Sequence, residues 1–274
     1  MGIDKLGLTS FYIPDMEYLK AYWEIREDEV RSRLYKYFCK MDYAEVMWCP
    51  HKFGEDTNCR ISYSKVDINP KYFDSYKQFY SYLETIFVQN NIISPEYFSV
   101  TRVDIKADIE NLPIDVVVAR LYAKGFNRRS YNFFKGSTIY IGSDPKITIY
   151  DKTLEIKSRL KKGFAITEKE KQILEEGKQI TRFELRIKNY RGTLKELIND
   201  PSTLVKHFER LQFYNFEDEE RLFAIGGLQL LFPKINRKFR KDLEKYRAED
   251  LEKMIKEDYT GSVKEWFGGD DIPF

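Results

Sequence analysis

The sequence predicts an α+β protein: a central, largely antiparallel sheet flanked by helices, with a helical C-terminal region. Three observations carry that expectation. Apolar and polar residues alternate at 99–109, at the pair 137–141 and 146–150, and at 181–188, as they do in strands with one buried face. The middle pair is joined by Gly142-Ser143-Asp144-Pro145, residues suited to a hairpin turn, which makes those two strands antiparallel neighbours. Apolar residues at helical spacing fill 72–89, where Phe73, Phe79, Tyr82, Leu83 and Phe87 share a face, and they recur almost throughout beyond Leu194.

Taken in order, the chain opens with a strand at 8–13. Residues 16–40 then mix Tyr, Leu and Trp with charges at near-helical spacing behind Asp15, a suitable N-cap. A strand or loop containing Met47 and Trp48 follows, and 60–64 alternates like a strand. Asn69-Pro70 breaks that pattern before the helix at 72–89. After the strand at 99–109, a helix at 114–124 crosses over to the hairpin. Residues 152–176 are charged and helical, interrupted at Gly163, with Thr167 and Glu170 spaced as a capping box. One further strand, 181–188, precedes the helical C-terminal region, whose last residues, 268–274, look frayed. The expected division is 1–193 and 194–274.

Bulk properties narrow the function classes. At 274 residues, 42% hydrophobic and 16% aromatic, the chain can bury a sizeable core and is not a disordered protein. Its 46 basic and 44 acidic residues nearly cancel, so a polyanionic partner would have to meet a local patch. Cys39, Cys49 and Cys59 lie ten apart and lack the close pairing of zinc sites, which suggests buried thiols in a reducing compartment. No apolar run approaches the roughly 20 residues of a membrane span, and the N-terminus does not read as a signal peptide. A soluble cytoplasmic protein with no membrane partner is expected. The two histidines, His51 and His207, are far apart, which disfavours His-pair nucleases, zinc hydrolases and serine-type triads.

The candidate chemistry gathers on three strands. Asp104 and Asp108 are four apart, so in a strand they project to one face together with Arg102 and Lys106. A solvent-facing strand with alternating charge accounts for these residues equally well. The functional reading is a hard divalent cation, Mg or Mn, held by oxygen ligands. Arg182, Glu184 and Arg186 alternate in the same way; a salt-bridge ladder would look alike, but Glu184 could share the metal while the arginines bind phosphate. Tyr150 is one of 20 tyrosines, and most of them pack. It is set apart by its position with Thr148 opposite Ile147 and Ile149, followed at once by Asp151 and Lys152, with Glu155 one turn on. A phenol with an ordinary pKa near 10 needs a cation or base beside it to act as a nucleophile, and Lys152 or a metal could serve.

These residues carry a resemblance. Thr101-Arg102-Val103-Asp104-Ile105-Lys106-Ala107-Asp108, then Tyr140-Ile141-Gly142-Ser143 with Ile149-Tyr150-Asp151-Lys152 and Glu155, then Arg182-Phe183-Glu184-Leu185, resemble in residues and spacing three motifs of the Rep_trans family. These are rolling-circle replication initiators of small plasmids related to the pT181 group, and they are themselves related to filamentous phage initiators. With Arg60-Ile61 and Asn69-Pro70 the resemblance covers about 60–188. It implies an endonuclease of the nickase kind in which Tyr150 attacks a phosphodiester at the replication origin, forms a 5′-phosphotyrosine intermediate and frees a 3′ hydroxyl. Asp104 and Glu184 would bind the metal, with Asp108 beside them, and residues 1–193 would form the nicking and closing domain. The family's hairpin arginine is replaced here by Thr148 and its loop is shorter, so Lys146, Arg128 and Arg129 are the candidates for phosphate contact. Origin DNA binding in the family depends on the C-terminal region, where Arg237, Lys238, Arg240 and Lys241 form the most basic run, though a solvated helix face explains that run as well. A homodimer and a host helicase of the UvrD type are further implied partners. Two other readings stay open: a DNA-binding replication protein that does not cut, and a metal-dependent nuclease whose nucleophile is water.

Overall fold

The computed structural model describes residues 3–27, 34–50, 63–87, 94–123, 132–134, 138–200, 202–214 and 247–267. In chain order these form strand β1 (Ile3–Ser10), helix α1 (Met16–Tyr22), and strands β2 (Ile25–Glu27), β3 (Tyr35–Lys40), β4 (Ala44–Pro50) and β5 (Ser64–Ile68). Helix α2 (Tyr76–Phe87), strand β6 (Ser99–Glu110), helix α3 (Ile114–Arg120) and strands β7 (Leu121–Ala123), β8 (Asn132–Phe134), β9 (Thr138–Ile141) and β10 (Lys146–Asp151) follow. The remainder is α4 (Lys152–Lys161), α5 (Glu168–Glu175), β11 (Ile180–Ile187), β12 (Gly192–Thr193), α6 (Leu194–Asn199), α7 (Ser202–Val205), β13 (Leu211–Phe213) and α8 (Glu249–Phe267). The class is α+β with a large antiparallel sheet, as the alternation predicts.

Two compact units share the chain, and their segments alternate along it. One comprises Met1–Ile105, Ile187–Pro201 and Ser262–Phe274; the other comprises Lys106–Arg186 and Ser202–Gly261. In the first, strands run in the order β2-β3-β4-β5-β1-β6, each pair antiparallel. Gly7, in the middle of β1, faces Asp67 on one side and Arg102 on the other. A Cβ there would lie 2.9 Å from the Arg102 Cβ and 3.1 Å from the Asp67 Oδ1, so the close approach of both neighbours requires glycine. Helix α2 buries Phe79, Leu83 and Ile86 along one face. Around it Phe73, Tyr43 and Tyr82 meet edge to face or tilted at 5.2–5.7 Å, which accounts for part of the high aromatic content.

The second unit contains the later part of β6 followed by β11, β10, β9 and β8. Its alternation is regular. Ile139, Ile141, Ile147, Ile149, Phe183 and Leu185 are buried, while Tyr140, Thr148, Tyr150, Arg182, Glu184 and Arg186 face the other way and are half-buried. Phe183 meets Phe213 of β13 edge to face at 6.1 Å, and Phe208 lies against Tyr259 of α8, so β13 and α8 supply core to this unit.

Several expected elements differ. The near-helical stretch 16–40 is helical only over α1, capped by Asp15 through the Tyr18 amide, and then becomes β2 and β3. Its aromatic residues favour strands once a partner exists, and Tyr37 stacks on Trp48 of β4 at 5.4 Å. The helix expected to reach 124 stops at Arg120 because Leu121–Ala123 pairs with β13, itself inside a stretch that reads as helical. The first strand begins earlier than expected, at Ile3, and α2 starts four residues later, after a short turn at Pro70–Tyr72. Against the expectation of three buried thiols, Cys49, at a half-buried position near the end of β4, is disulfide-bonded. Cys39 is a buried free thiol, and Cys59 lies outside the described residues. Among the described residues no helix is long and apolar enough to cross a membrane.

Candidate active site

Tyr150 and Glu184 come together through strand register. Strands β10 and β11 pair antiparallel with Tyr150 opposite Arg182 and Thr148 opposite Glu184, so the tyrosine reaches diagonally across one position. Its hydroxyl donates to the Glu184 Oε1 at 2.7 Å. Arg182, directly across from Tyr150, is forked by Asp108 of β6, with Nε to Oδ1 at 2.6 Å and Nη2 to Oδ2 at 2.7 Å. Four side chains from three strands thus stand on the polar face of this unit.

The strands are held in register at their ends. Asp151 caps α4 by accepting from the Leu154 amide at 2.8 Å, which turns the chain out of the sheet immediately after Tyr150. Thr153 then donates to the Lys178 carbonyl at 2.8 Å and accepts from the Ile180 amide at 3.1 Å, tying the start of α4 to the entry of β11. The Asn111 amide donates to the Gln179 carbonyl at 2.8 Å and fixes the β6 side. Gly142, at φ 75°, makes the turn between β9 and β10 that a side chain would strain.

The electrostatics keep the phenol protonated. Burial pushes the Tyr150 hydroxyl well above its ordinary value, the neighbouring Glu184 charge pushes it further, and Arg182 opposes both. The Asp108 fork keeps the Arg182 guanidinium charged against the burial that would discharge it.

Other expected site residues are placed differently. Lys152 is buried at the start of α4 with its ammonium 2.5 Å from the Glu155 Oε2 and 3.2 Å from the Glu170 Oε1, so those two acids take the charge expected to activate Tyr150. Asp104 belongs to the first unit, where Arg102 forks it, with Nε to Oδ1 at 2.8 Å. Arg102 with Asp104, and Arg182 with Asp108, expected to meet phosphate or metal, therefore form two ion pairs within the protein. Lys146 lies over the Tyr140 ring, 4.2 Å from its centroid. Lys106 and Arg186 are on the polar strand face, half-buried. Arg237, Lys238, Arg240 and Lys241, with Arg128 and Arg129, lie outside the described residues.

One contributor has no signature in the sequence. Asp258 of α8 accepts from the Asp108 amide at 3.1 Å, a contact between residues 150 apart that no local pattern announces. Among the described residues, no three His, Cys, Asp or Glu side chains gather as a metal-binding group. Of the acids expected to bind a cation, Asp104 and Asp108 each carry an arginine, whereas Glu184 is held by a neutral phenol, so Glu184 is the carboxylate whose donor chemistry fits Mg or Mn. No family model, curated protein or solved structure matches this chain.

Proposed function

We propose that the chain is a rolling-circle replication initiator, a metal-dependent enzyme that nicks origin DNA and transfers the strand through Tyr150. The observation that carries this reading is the 2.7 Å hydrogen bond from the Tyr150 hydroxyl to Glu184. A phenol held protonated by burial attacks only as it gives up its proton, and a carboxylate already accepting that hydrogen bond is a base in place. In the step proposed, the Tyr150 oxygen bonds to phosphorus and its proton passes to Glu184. The bond from phosphorus to the 3′ oxygen breaks, and the proton taken by Glu184 passes, directly or through solvent, to that oxygen, which becomes the 3′ hydroxyl. Arg182, directly across from Tyr150 and kept charged by Asp108, is a cation that would support negative charge on the phosphate. A divalent ion on Glu184, Mg or Mn, would polarise the phosphate and ease loss of the phenol proton.

The resemblance brings the rest of the proposal: origin DNA as substrate, the cytoplasm as compartment, the basic run at 237–241 as origin contact, a homodimer, and a host helicase. The test is incubation of the protein with Mg or Mn and a supercoiled plasmid carrying the origin. Relaxed DNA and a protein-linked strand are expected from the wild type and neither from Tyr150→Phe. Normal nicking by Tyr150→Phe overturns the assignment. The burial of Tyr150 also suits a packing role beside a water nucleophile, and in that case Tyr150→Phe cuts normally and no adduct forms.

A further inference from the structure

The geometry points to the outer face of α4, with the turn that follows it, as a surface that holds single-stranded nucleic acid by its phosphates and one stacked base. It begins one residue after Asp151 and so lies immediately downstream of Tyr150 in the chain. Leu154, Lys157, Ser158 and Lys161 recur at helical spacing and are all exposed. Lys162 caps the helix, Gly163 turns at φ 77°, and Phe164 follows with 59% of its surface open to solvent.

Two features separate this face from an ordinary solvated helix. The first is its charge. The acid of α4, Glu155, is turned toward Lys152 and Arg159, and Arg159 also pairs with Glu170 of α5, so the inner side of the helix consumes its acids. Lys171 and Lys178 nearby are each paired with glutamates. Lys157, Lys161 and Lys162 make no ion pair with a described residue, and the outer face is left purely cationic. Lys157 and Lys161 are about 6 Å apart along the axis at a rise of 1.5 Å per residue, a spacing within reach of successive phosphates of an extended strand. The second is the placement of the apolar groups. Leu154 lies in line with Lys161 instead of forming a separate stripe, whereas a helix that lies in a membrane surface segregates its apolar side. An exposed ring beside lysines is the arrangement that stacks a base while neutralising backbone charge.

The inference rests on Tyr150 acting on a single strand, and its test separates the two. Binding of the full chain to a fluorescent oligothymidylate is followed by anisotropy across salt concentrations. A variant carrying Lys157→Gln, Lys161→Gln and Lys162→Gln should bind at least about tenfold more weakly, and its log affinity should fall less steeply with log salt, by about 2 in slope at roughly 0.7 per lysine lost. Phe164→Ala should weaken binding about tenfold without changing that slope. All four positions are exposed, so thermal melts should match the wild type. The inference is overturned if either variant binds as the wild type does, if the wild type does not bind the oligonucleotide at low salt, or if it prefers phosphatidylglycerol vesicles to the oligonucleotide. Weakened binding by the lysine variant in a protein that forms no Tyr150 adduct supports the surface and sinks the nicking reading. Unchanged binding with the adduct intact does the reverse.

Discussion

Tyr150 is placed where burial and a negative neighbour both resist its ionisation, and where its hydroxyl donates a hydrogen bond to Glu184. With the Tyr150 ring carbon beside the hydroxyl isotopically labelled, NMR titration should show no ionisation of this residue near its ordinary pKa of about 10. Glu184→Gln removes a charge that raises the pKa, so the onset should move to lower pH in that variant; a shift upward would contradict the placement. The same substitution should slow strand cleavage by about 10²–10⁴-fold if Glu184 accepts the proton, measured in single-turnover assays with origin DNA. Lys152 behaves as a structural cation by contrast. Lys152→Gln leaves Glu170 short of a partner and should cost about 1–3 kcal/mol in urea unfolding while adduct formation persists. Its sequence position two residues after the tyrosine gave no warning of this, because α4 turns Lys152 toward α5 and away from the strand.

At the scale of elements, α4 and α5 form a helical pair joined by charge and sharp caps. Thr167 and Glu170 make the capping box that their spacing predicts, the threonine oxygen accepting from the Glu170 amide and the glutamate from the Thr167 amide. Burial alone would raise the Glu170 carboxyl, but the Thr167 amide, Lys152 and Arg159 outweigh it and hold the value at about 2, against an ordinary 4.5. A carboxyl depressed in the folded state stabilises above its unfolded pKa. That contribution is present above pH 4.5 and is lost as pH falls to about 2. Unfolding midpoints measured through this window should drop for the wild type and drop less for Glu170→Gln. The strand faces invite a different test. Phe183 is fully buried against Phe213, so Phe183→Ala should cost about 3–5 kcal/mol through the cavity it leaves. Both faces of β10 and β11 were legible as alternation in the sequence, since a period of two admits only one choice of buried set. What pairs across the strands was not, because register depends on where the Gly142 turn closes and where Thr153 anchors β11.

At the scale of the whole molecule, the chain weaves between two units, so its order in sequence is a poor guide to its domains. A fragment ending at the expected boundary, residue 193, lacks Phe208, Phe213 and Tyr259, which complete the core of the unit that holds Tyr150. Such a fragment should be insoluble or lack dispersed NMR signals, and a well-folded 1–193 would refute the interleaving. Buried phenols also set an alkaline limit. Burial pushes Tyr35 and Tyr82 from 10.0 to about 12, and groups raised in the folded state contribute stability below pH 10 that is lost as pH rises toward about 12.

The sequence by itself determined the class of fold, the strands that carry the site, the face on which the candidates of β10 and β11 project, and the caps of α1 and α5. Each of these follows from local periodicity and from side chains that bond within a few residues. Only the tertiary structure decided that Tyr150 meets Glu184, that Asp108 is spent on Arg182 and Lys152 on two glutamates, and that β13 and α8 return to complete the core around the tyrosine's unit. Those outcomes depend on which charges and rings a long-range pairing brings within reach, and a spacing along the chain holds no record of that.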